Sequence, residues 1–259
     1  MKKSKIAVLV AMVVVLAFSL AACSGSDKSS SDKTVYKVGT EPTFPPFDTT
    51  DEDQNIVGLD MDLIKAIGED QGFDVEFENL SFDGLIPALK AGNIDIVAAG
   101  MNKDDEDRQK EVDFSDSYYE SKLFVAVTED NTTIKSVEDL TPDMKVAAQT
   151  GTTGASKVKE LKDAGKIKEA VILDGLDTCM MKLINGDVSA VINDKPVTEA
   201  YMKKQPDKIK MVGEALNAEN YGFAVQKGNA ELVEKINNGL KHIKENGTYD
   251  KLVDEWFNK

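Results

Sequence analysis

Apolar residues along this chain change their spacing in a repeated order. Val35-Tyr-Lys-Val-Gly-Thr40 and Lys145-Val-Ala-Ala-Gln-Thr150 read as strands. Leu63, Ile64 and Ile67 fall on one face of a helix over 59 to 67, as Val158 and Leu161 do over 155 to 164. Two further stretches match at an offset of 94 residues: Leu89-Lys-Ala-Gly-Asn-Ile-Asp-Ile-Val-Ala-Ala-Gly100 and Leu183-Ile-Asn-Gly-Asp-Val-Ser-Ala-Val-Ile-Asn-Asp194. Each reads as a helix end, a glycine stop and a strand with little polar alternation, which predicts cover on both faces. Strand alternating with helix predicts an α/β fold with mainly parallel sheets, here as two lobes. In such sheets ligands sit beyond the carboxyl ends of strands, which places Ala99-Gly100 and Asn193-Asp194 on a cleft between the lobes. A helix with Leu232, Ile236, Leu240 and Ile243 in register, then one with Leu252, Val253 and Trp256, closes the chain.

The amino terminus changes the accounting. Lys2, Lys3 and Lys5 precede an uncharged apolar run, Ile6 to Leu20, too short for a comfortable membrane span. Leu20-Ala-Ala-Cys23 then resembles the lipobox of bacterial lipoproteins, in which the cysteine is lipidated and becomes the mature terminus. Residues 1–22 are expected to be a lipoprotein signal peptide and 23–34 a flexible tether, since Ser24 to Thr34 is short of apolar residues. An ordinary secretory signal with a chance cysteine is the alternative. Removing residues 1–22 takes the formal charge from −15 to −18. So acidic a body excludes nucleic acid as a partner, because phosphates demand a basic face. With Cys23 lipidated, Cys179 has no partner for a disulfide.

Candidate chemistry begins with Arg108, the one arginine among 31 basic residues. Its planar fork grips a carboxylate with two parallel hydrogen bonds, which lysine cannot copy. Pairing with a neighbouring surface acid is the plainer use. Glu41-Pro-Thr-Phe-Pro-Pro-Phe47 follows a strand, and its prolines predict extended backbone that presents Phe44. Phe82 stands at a helix entrance, with core packing an equal reading. Thr150-Gly-Thr-Thr-Gly154 follows a strand and opens a helix, where hydroxyls and free amides suit either an anion or plain capping.

Several ordered motifs carry a resemblance across the mature chain: Pro45-Pro46-Phe47, Gly58-Leu-Asp-Met-Asp-Leu63, Phe82-Asp-Gly-Leu-Ile-Pro-Ala-Leu89, Val112-Asp-Phe-Ser-Asp116 with Tyr118-Tyr119, Gly151-Thr-Thr153, Asp194-Lys-Pro196 and Tyr221-Gly-Phe223. They resemble the amino-acid-binding class, family 3, of extracellular solute-binding lipoproteins that feed ABC importers. The resemblance implies a periplasmic-binding-protein-like fold: two lobes joined by two hinge strands, with lobe 1 over 35–119 and 220–259, lobe 2 over 120–219, and hinges near Tyr118-Tyr119 and Ala218 to Tyr221. It also implies that Arg108 holds a ligand α-carboxylate with amides of the Gly151-Thr152-Thr153 turn, and that Asp194 holds the α-ammonium. Phe44 and Phe82 would sandwich the side chain, while Ala99, Gly100, Asn102 and Thr152 supply hydrogen bonds. Glu41 and Gln149 then face the side-chain end. The family usually has threonine or serine at Asn102, and this chain carries one extra residue between Gly100 and the arginine. Were that insertion to displace Arg108, Lys103 or Lys110 would be the substitute.

The function expected is a monomeric, lipid-anchored binder on the extracellular face of the cell membrane, delivering a polar amino acid to an ABC permease, with no cofactor. With Arg108 and Asp194 engaged by the zwitterion, no cation remains for an acidic side chain. Neutral polar ligands rank first, basic ones pairing with Glu41 second, acidic ones last. A dehydratase-like enzyme on the same scaffold, with Glu41 as its acid or base, and a ligand-sensing receptor subunit are the rivals. His242 stands alone and Asp104 to Asp107 lacks calcium-loop spacing, so neither marks a metal site. Cys179, Met180 and Met181 read as helix packing.

Overall fold

A computed structural model describes residues 33–258 of the chain. The predicted signal peptide, Cys23 and the tether up to residue 32 lie outside them. From Thr34 the chain runs β1 (Thr34–Thr40), β2 (Thr49–Thr50), β3 (Ile56–Val57), α1 (Leu59–Gln71), β4 (Phe73–Asn79), α2 (Phe82–Ala91), β5 (Ile96–Val97), α3 (Glu106–Glu111) and β6 (Val112–Phe114). It continues through β7 (Tyr119–Thr128), β8 (Lys145–Gln149), α4 (Thr153–Asp163), β9 (Glu169–Leu173), α5 (Leu176–Ile184), β10 (Ala190–Asp194) and α6 (Lys195–Lys204). The closing elements are β11 (Ile209–Val212), β12 (Ala218–Tyr221), β13 (Ala224–Gln226), α7 (Ala230–Glu245) and α8 (Thr248–Phe257).

The body is α/β, with two lobes each built on its own sheet. One sheet runs β4-β1-β5-β13-β6 and the other β11-β7-β10-β8-β9, with β12 pairing β7. Both lobes repeat one plan. The opening strand, β1 or β8, lies between two parallel partners, β4 and β5 or β9 and β10. An antiparallel strand then joins the third: β13 beside β5, β7 beside β10. The matched glycines, Gly92 and Gly186, have φ of 75° and 77° and end the preceding helices in the same left-handed turn.

The sheets are therefore mixed, not mainly parallel. Helical crossovers do return the chain parallel within each lobe. β7 and β13, however, enter directly after the chain crosses between lobes, with no covering helix, and run antiparallel. The two crossings lie side by side: Ala218 to Tyr221 pairs antiparallel with Lys122 to Tyr119. These are the two hinge strands.

Three apolar clusters fill the body. One packs β1, α1, α5 and α7 together, with Leu63, Ile64, Ile67, Ile236, Leu240 and Ile243 all buried. Val125, Val146, Val158 and Ile192 centre a second, and Leu85, Leu89, Val97 and Val112 a third. Helical stripes read from the sequence thus reach the core, at about 25 cal/mol per Å² of apolar area. The Glu41 to Phe47 segment differs from its expected extended form. Phe44 N–H donates to the Asp48 carbonyl at 2.9 Å and Phe47 N–H to the Phe44 carbonyl at 3.1 Å, which closes a turn. Phe47, fully buried, pins it by edge contacts with Tyr119, Tyr221 and Phe257.

Candidate functional site

The carboxyl ends of β1, β5, β8 and β10 converge where the lobes meet. Arg108 comes to this place from α3. Its backbone is fixed by the cap residue Asp105, whose carboxylate accepts the N–H groups of Asp107 and Arg108 at 3.0 Å each. The guanidinium is buried and donates to the carbonyl of Asn102 at 3.2 Å and, across the lobes, to that of Gly151 at 2.9 Å. Its carbon stands 5.3 Å from the centre of the Phe82 ring. Burial pulls the guanidinium pKa below its ordinary value, against the opposing charges of Asp105, Glu219 and Asp194. With the extra residue before it, Arg108 still reaches the Gly151 turn of the other lobe, while Lys110 pairs with Asp107 at 2.7 Å on the surface.

Asp194 ends β10 and stands at the start of α6. Its side chain does not cap that helix. Instead Oδ1 accepts from Ser121 Oγ at 3.0 Å and from the Tyr221 hydroxyl, one partner from each crossing strand. Burial, then the neighbouring Glu219, push the Asp194 carboxyl well above the usual carboxylate range.

Glu41 follows β1 and accepts at Oε2 from Thr43 Oγ1 and from Gln149 Nε2, both at 2.8 Å. Gln149, the last residue of β8, also donates to the Asp174 carbonyl at 3.0 Å. Burial raises the Glu41 pKa, those two hydrogen bonds lower it, and Asp177 raises it again. Thr43 bridges further: its Oγ1 accepts Leu176 N–H at 3.1 Å and its carbonyl accepts the Tyr201 hydroxyl at 3.0 Å. The lobes are thus in contact through several direct hydrogen bonds.

The remaining candidates separate by what they already do. Thr152 Oγ1 caps α4 by accepting Ala155 N–H at 3.1 Å and donates to the Gln149 carbonyl at 2.7 Å, and Thr153 begins the helix. Capping, one of the two readings open from sequence, accounts for that hydroxyl. Asn102 Oδ1 accepts the N–H groups of Asp104 and Asn220 at 3.1 and 3.2 Å, holding its loop to the second hinge strand. The Ala99 side chain packs into the apolar cluster behind β5. Gly100 has φ +53°, and a Cβ there would stand 2.6 Å from Phe44 Cε1. Only glycine lets the backbone lie against that ring. Phe44 is buried against Gly100 and Tyr221, while Phe82 faces the arginine, so the two rings border different parts of the site.

Sequence reasoning did not foresee Asp60 beneath this loop. It is fully buried, and its Oδ2 accepts Gly100 N–H at 2.8 Å and the Tyr118 hydroxyl at 2.7 Å. Burial lifts its carboxyl to about 7. The signal lay in Gly58-Leu-Asp-Met-Asp-Leu63, an acid inside an otherwise buried helical stripe. His242 is exposed and pairs with Asp70 at 2.8 Å, Cys179 is a buried thiol pushed up to about 12, and no cluster of metal ligands occurs among the described residues. A separate apolar groove of 810 Å³, lined by Pro45, Pro196, Met202, Trp256 and Phe257, contains none of the residues singled out as ligands.

Comparison with known proteins agrees with this architecture. The family described as bacterial extracellular solute-binding proteins, family 3, matches residues 36–259. A probable histidine-binding protein of Neisseria gonorrhoeae is 33% identical over 252 residues, covering 94% of this chain and 92% of its own. An ancestral arginine-binding protein solved with arginine superposes at a TM-score of 0.82 with 45% identity, covering 87% of this chain and 99% of that one. An ancestral arginine-binding protein bound to glutamine gives 0.80 and 45%, covering 88% and 99%. Its two-lobed body and the match along the whole described region place the chain among the bacterial extracellular solute-binding proteins of family 3, as a binder and not an enzyme.

Proposed function

We propose that the solute is an amino acid with a positively charged side chain, held between the lobes and passed to an ABC permease. Arg108 takes the α-carboxylate and Asp194 the α-ammonium. Phe44 borders the side chain, Phe82 backs Arg108 at the carboxylate end, and Glu41 with Gln149 receives the far end of the side chain. The observation that carries the charge assignment is Glu41: a buried carboxyl whose pKa is raised by burial first and, after the lowering hydrogen bonds of Gln149 and Thr43, by the neighbouring acid Asp177. A ligand cation would offset both effects. Sequence alone ranks a neutral polar ligand first. Burial of Glu41 reverses that order, and the relatives named for histidine and arginine support the reversal. The neutral reading keeps one support, since Gln149 already satisfies Glu41 at 2.8 Å and glutamine is the ligand named for one neighbour.

The acidic body, with its apolar leader and Leu20-Ala-Ala-Cys23, supports attachment through a lipid on Cys23 at the extracellular face of the membrane. Calorimetry at about pH 7 with arginine, histidine, glutamine and glutamate tests the ligand class. Arginine should bind tightest and glutamate weakest. Glutamine binding tightest would return the neutral reading, and glutamate binding tightest would overturn the assignment of Glu41.

A further inference from the structure

The ammonium subsite contains more acid than one ligand cation needs. Glu219 lies in the second hinge strand and is 2% exposed. It stands opposite Ser121 in the β12 and β7 pairing, and Ser121 is one of the hydroxyl donors to Asp194. Tyr221, two residues on and so on the same face of β12, is the other. Glu219 therefore faces the Asp194 carboxyl from the same strand and side as Tyr221. Asn217 Nδ2 donates to its Oε1 at 3.1 Å, which fixes the carboxyl in place.

We infer that Glu219 is a second acceptor for the ligand ammonium, and that Asp194 carries a proton directed at Glu219 until the ligand arrives. The inference rests on the proposed ammonium role of Asp194. A hydrogen bond between two carboxyl groups requires a proton between them, and two buried like charges without one are costly. Asp194 is displaced upward by burial first and by Glu219 next, the direction a proton on Asp194 requires. The groups facing the pair are the Ser121 hydroxyl from β7, the Tyr221 hydroxyl from β12 and the Arg108 guanidinium from α3, which senses both acids. That guanidinium cannot neutralise the pair permanently, since the ligand carboxylate claims it on binding. When the ammonium enters, the carboxyl O–H bond breaks and its proton passes to solvent. Ligand N–H groups then donate to both carboxylates in its place.

Binding with proton release strengthens as pH rises, because the unbound pair holds a proton that the bound pair lacks. Arginine is the suitable probe, since its guanidinium does not titrate in the range used. Its binding to the whole protein should be measured by calorimetry at about pH 6, in two buffers of different ionisation enthalpy, and its affinity followed from about pH 5 to pH 8. Wild type should release a proton fraction approaching one and bind more tightly at the upper end. Glu219→Gln keeps a hydrogen-bond donor towards Asp194 and removes the second cause of its raised pKa, so the rise of affinity with pH should become shallower, with burial of Asp194 as the cause that remains. Its affinity near pH 8 should fall roughly tenfold or more, the scale of a lost charged hydrogen bond. Wild type that binds arginine with no proton release overturns the inference and leaves the proposed function standing. So does a variant whose pH profile matches wild type. Failure of wild type to bind any amino acid overturns the proposed function, and the inference with it. Proton release in wild type is read without any substitution, so the test does not depend on the variant folding.

Discussion

Replacing Arg108 by lysine keeps the charge and removes the fork. The guanidinium uses two nitrogens on the carbonyls of Asn102 and Gly151 and lies over Phe82, three contacts that one ammonium cannot make together. Truncating a buried, paired group costs about 3 to 5 kcal/mol. At about 1.4 kcal/mol per tenfold, Arg108→Lys and Asp194→Asn should each weaken ligand binding on the order of a hundredfold or more, read by calorimetry. Gly100→Ala should act differently, by lowering the melting temperature of the free protein. It combines φ +53° with a Cβ placed 2.6 Å from Phe44 Cε1, a cost of about 1 kcal/mol or more before any ring movement. Arg108 was readable in the sequence because it is chemically unlike its neighbours. Asp60 and Glu219 were not, because each is one acid among 46, and burial by partners distant along the chain distinguishes them.

At the scale of elements, the two crossing strands determine how the lobes move. Among the described residues, β7 and β12 carry the chain between the lobes as a paired ladder, with a backbone bridge from Asn102 to Tyr221 beside it, and side chains such as Gln149 on Glu41 and Thr43 against Leu176 add further contact. Those contacts can separate while the ladder holds, so the lobes should turn about residues near Tyr119 and Ala218. Small-angle scattering should show a smaller radius of gyration on adding ligand, and an unchanged curve at saturation would favour a permanently closed molecule. Helix stripes and the repeated glycine stops predicted the βαβ halves of both sheets, because local periodicity encodes them. The antiparallel strands escaped prediction. β13 is three residues long, and its position beside β5 and β6 is set by pairing with segments more than a hundred residues earlier.

For the whole molecule, pH and ligand should change stability in ways that follow from the buried acids. Asp48, Asp60 and Asp194 all have carboxyls raised above their unfolded range, mainly by burial. The folded state then holds more protons than the unfolded one between the ordinary carboxyl range and these raised values. Stability should therefore decline as pH rises through that window, which extends to about 7 for Asp60. Acids lowered by surface partners, such as Asp107 and Asp113, act in the opposite sense, and only below the ordinary carboxyl range. Thermal melts should show a higher midpoint near pH 5.5 than near pH 8, and Asp60→Asn should reduce the difference. The midpoint should also rise with the logarithm of ligand concentration over affinity.

The strand order also sets a schedule for acquiring structure. The β8-β9-β10-β7 sheet draws all its strands from one uninterrupted stretch of chain, whereas the sheet begun by β1 must wait for β13. During synthesis or export, the later half of the protein can therefore consolidate while the earlier half still lacks its inner strand, an inversion of the usual amino-terminal-first order. Until Ala224 to Gln226 arrives, β5 and β6 have no common partner and expose open edges. A chain still in that condition keeps the inner positions of its first sheet open until residues 224–226 have joined β5 and β6.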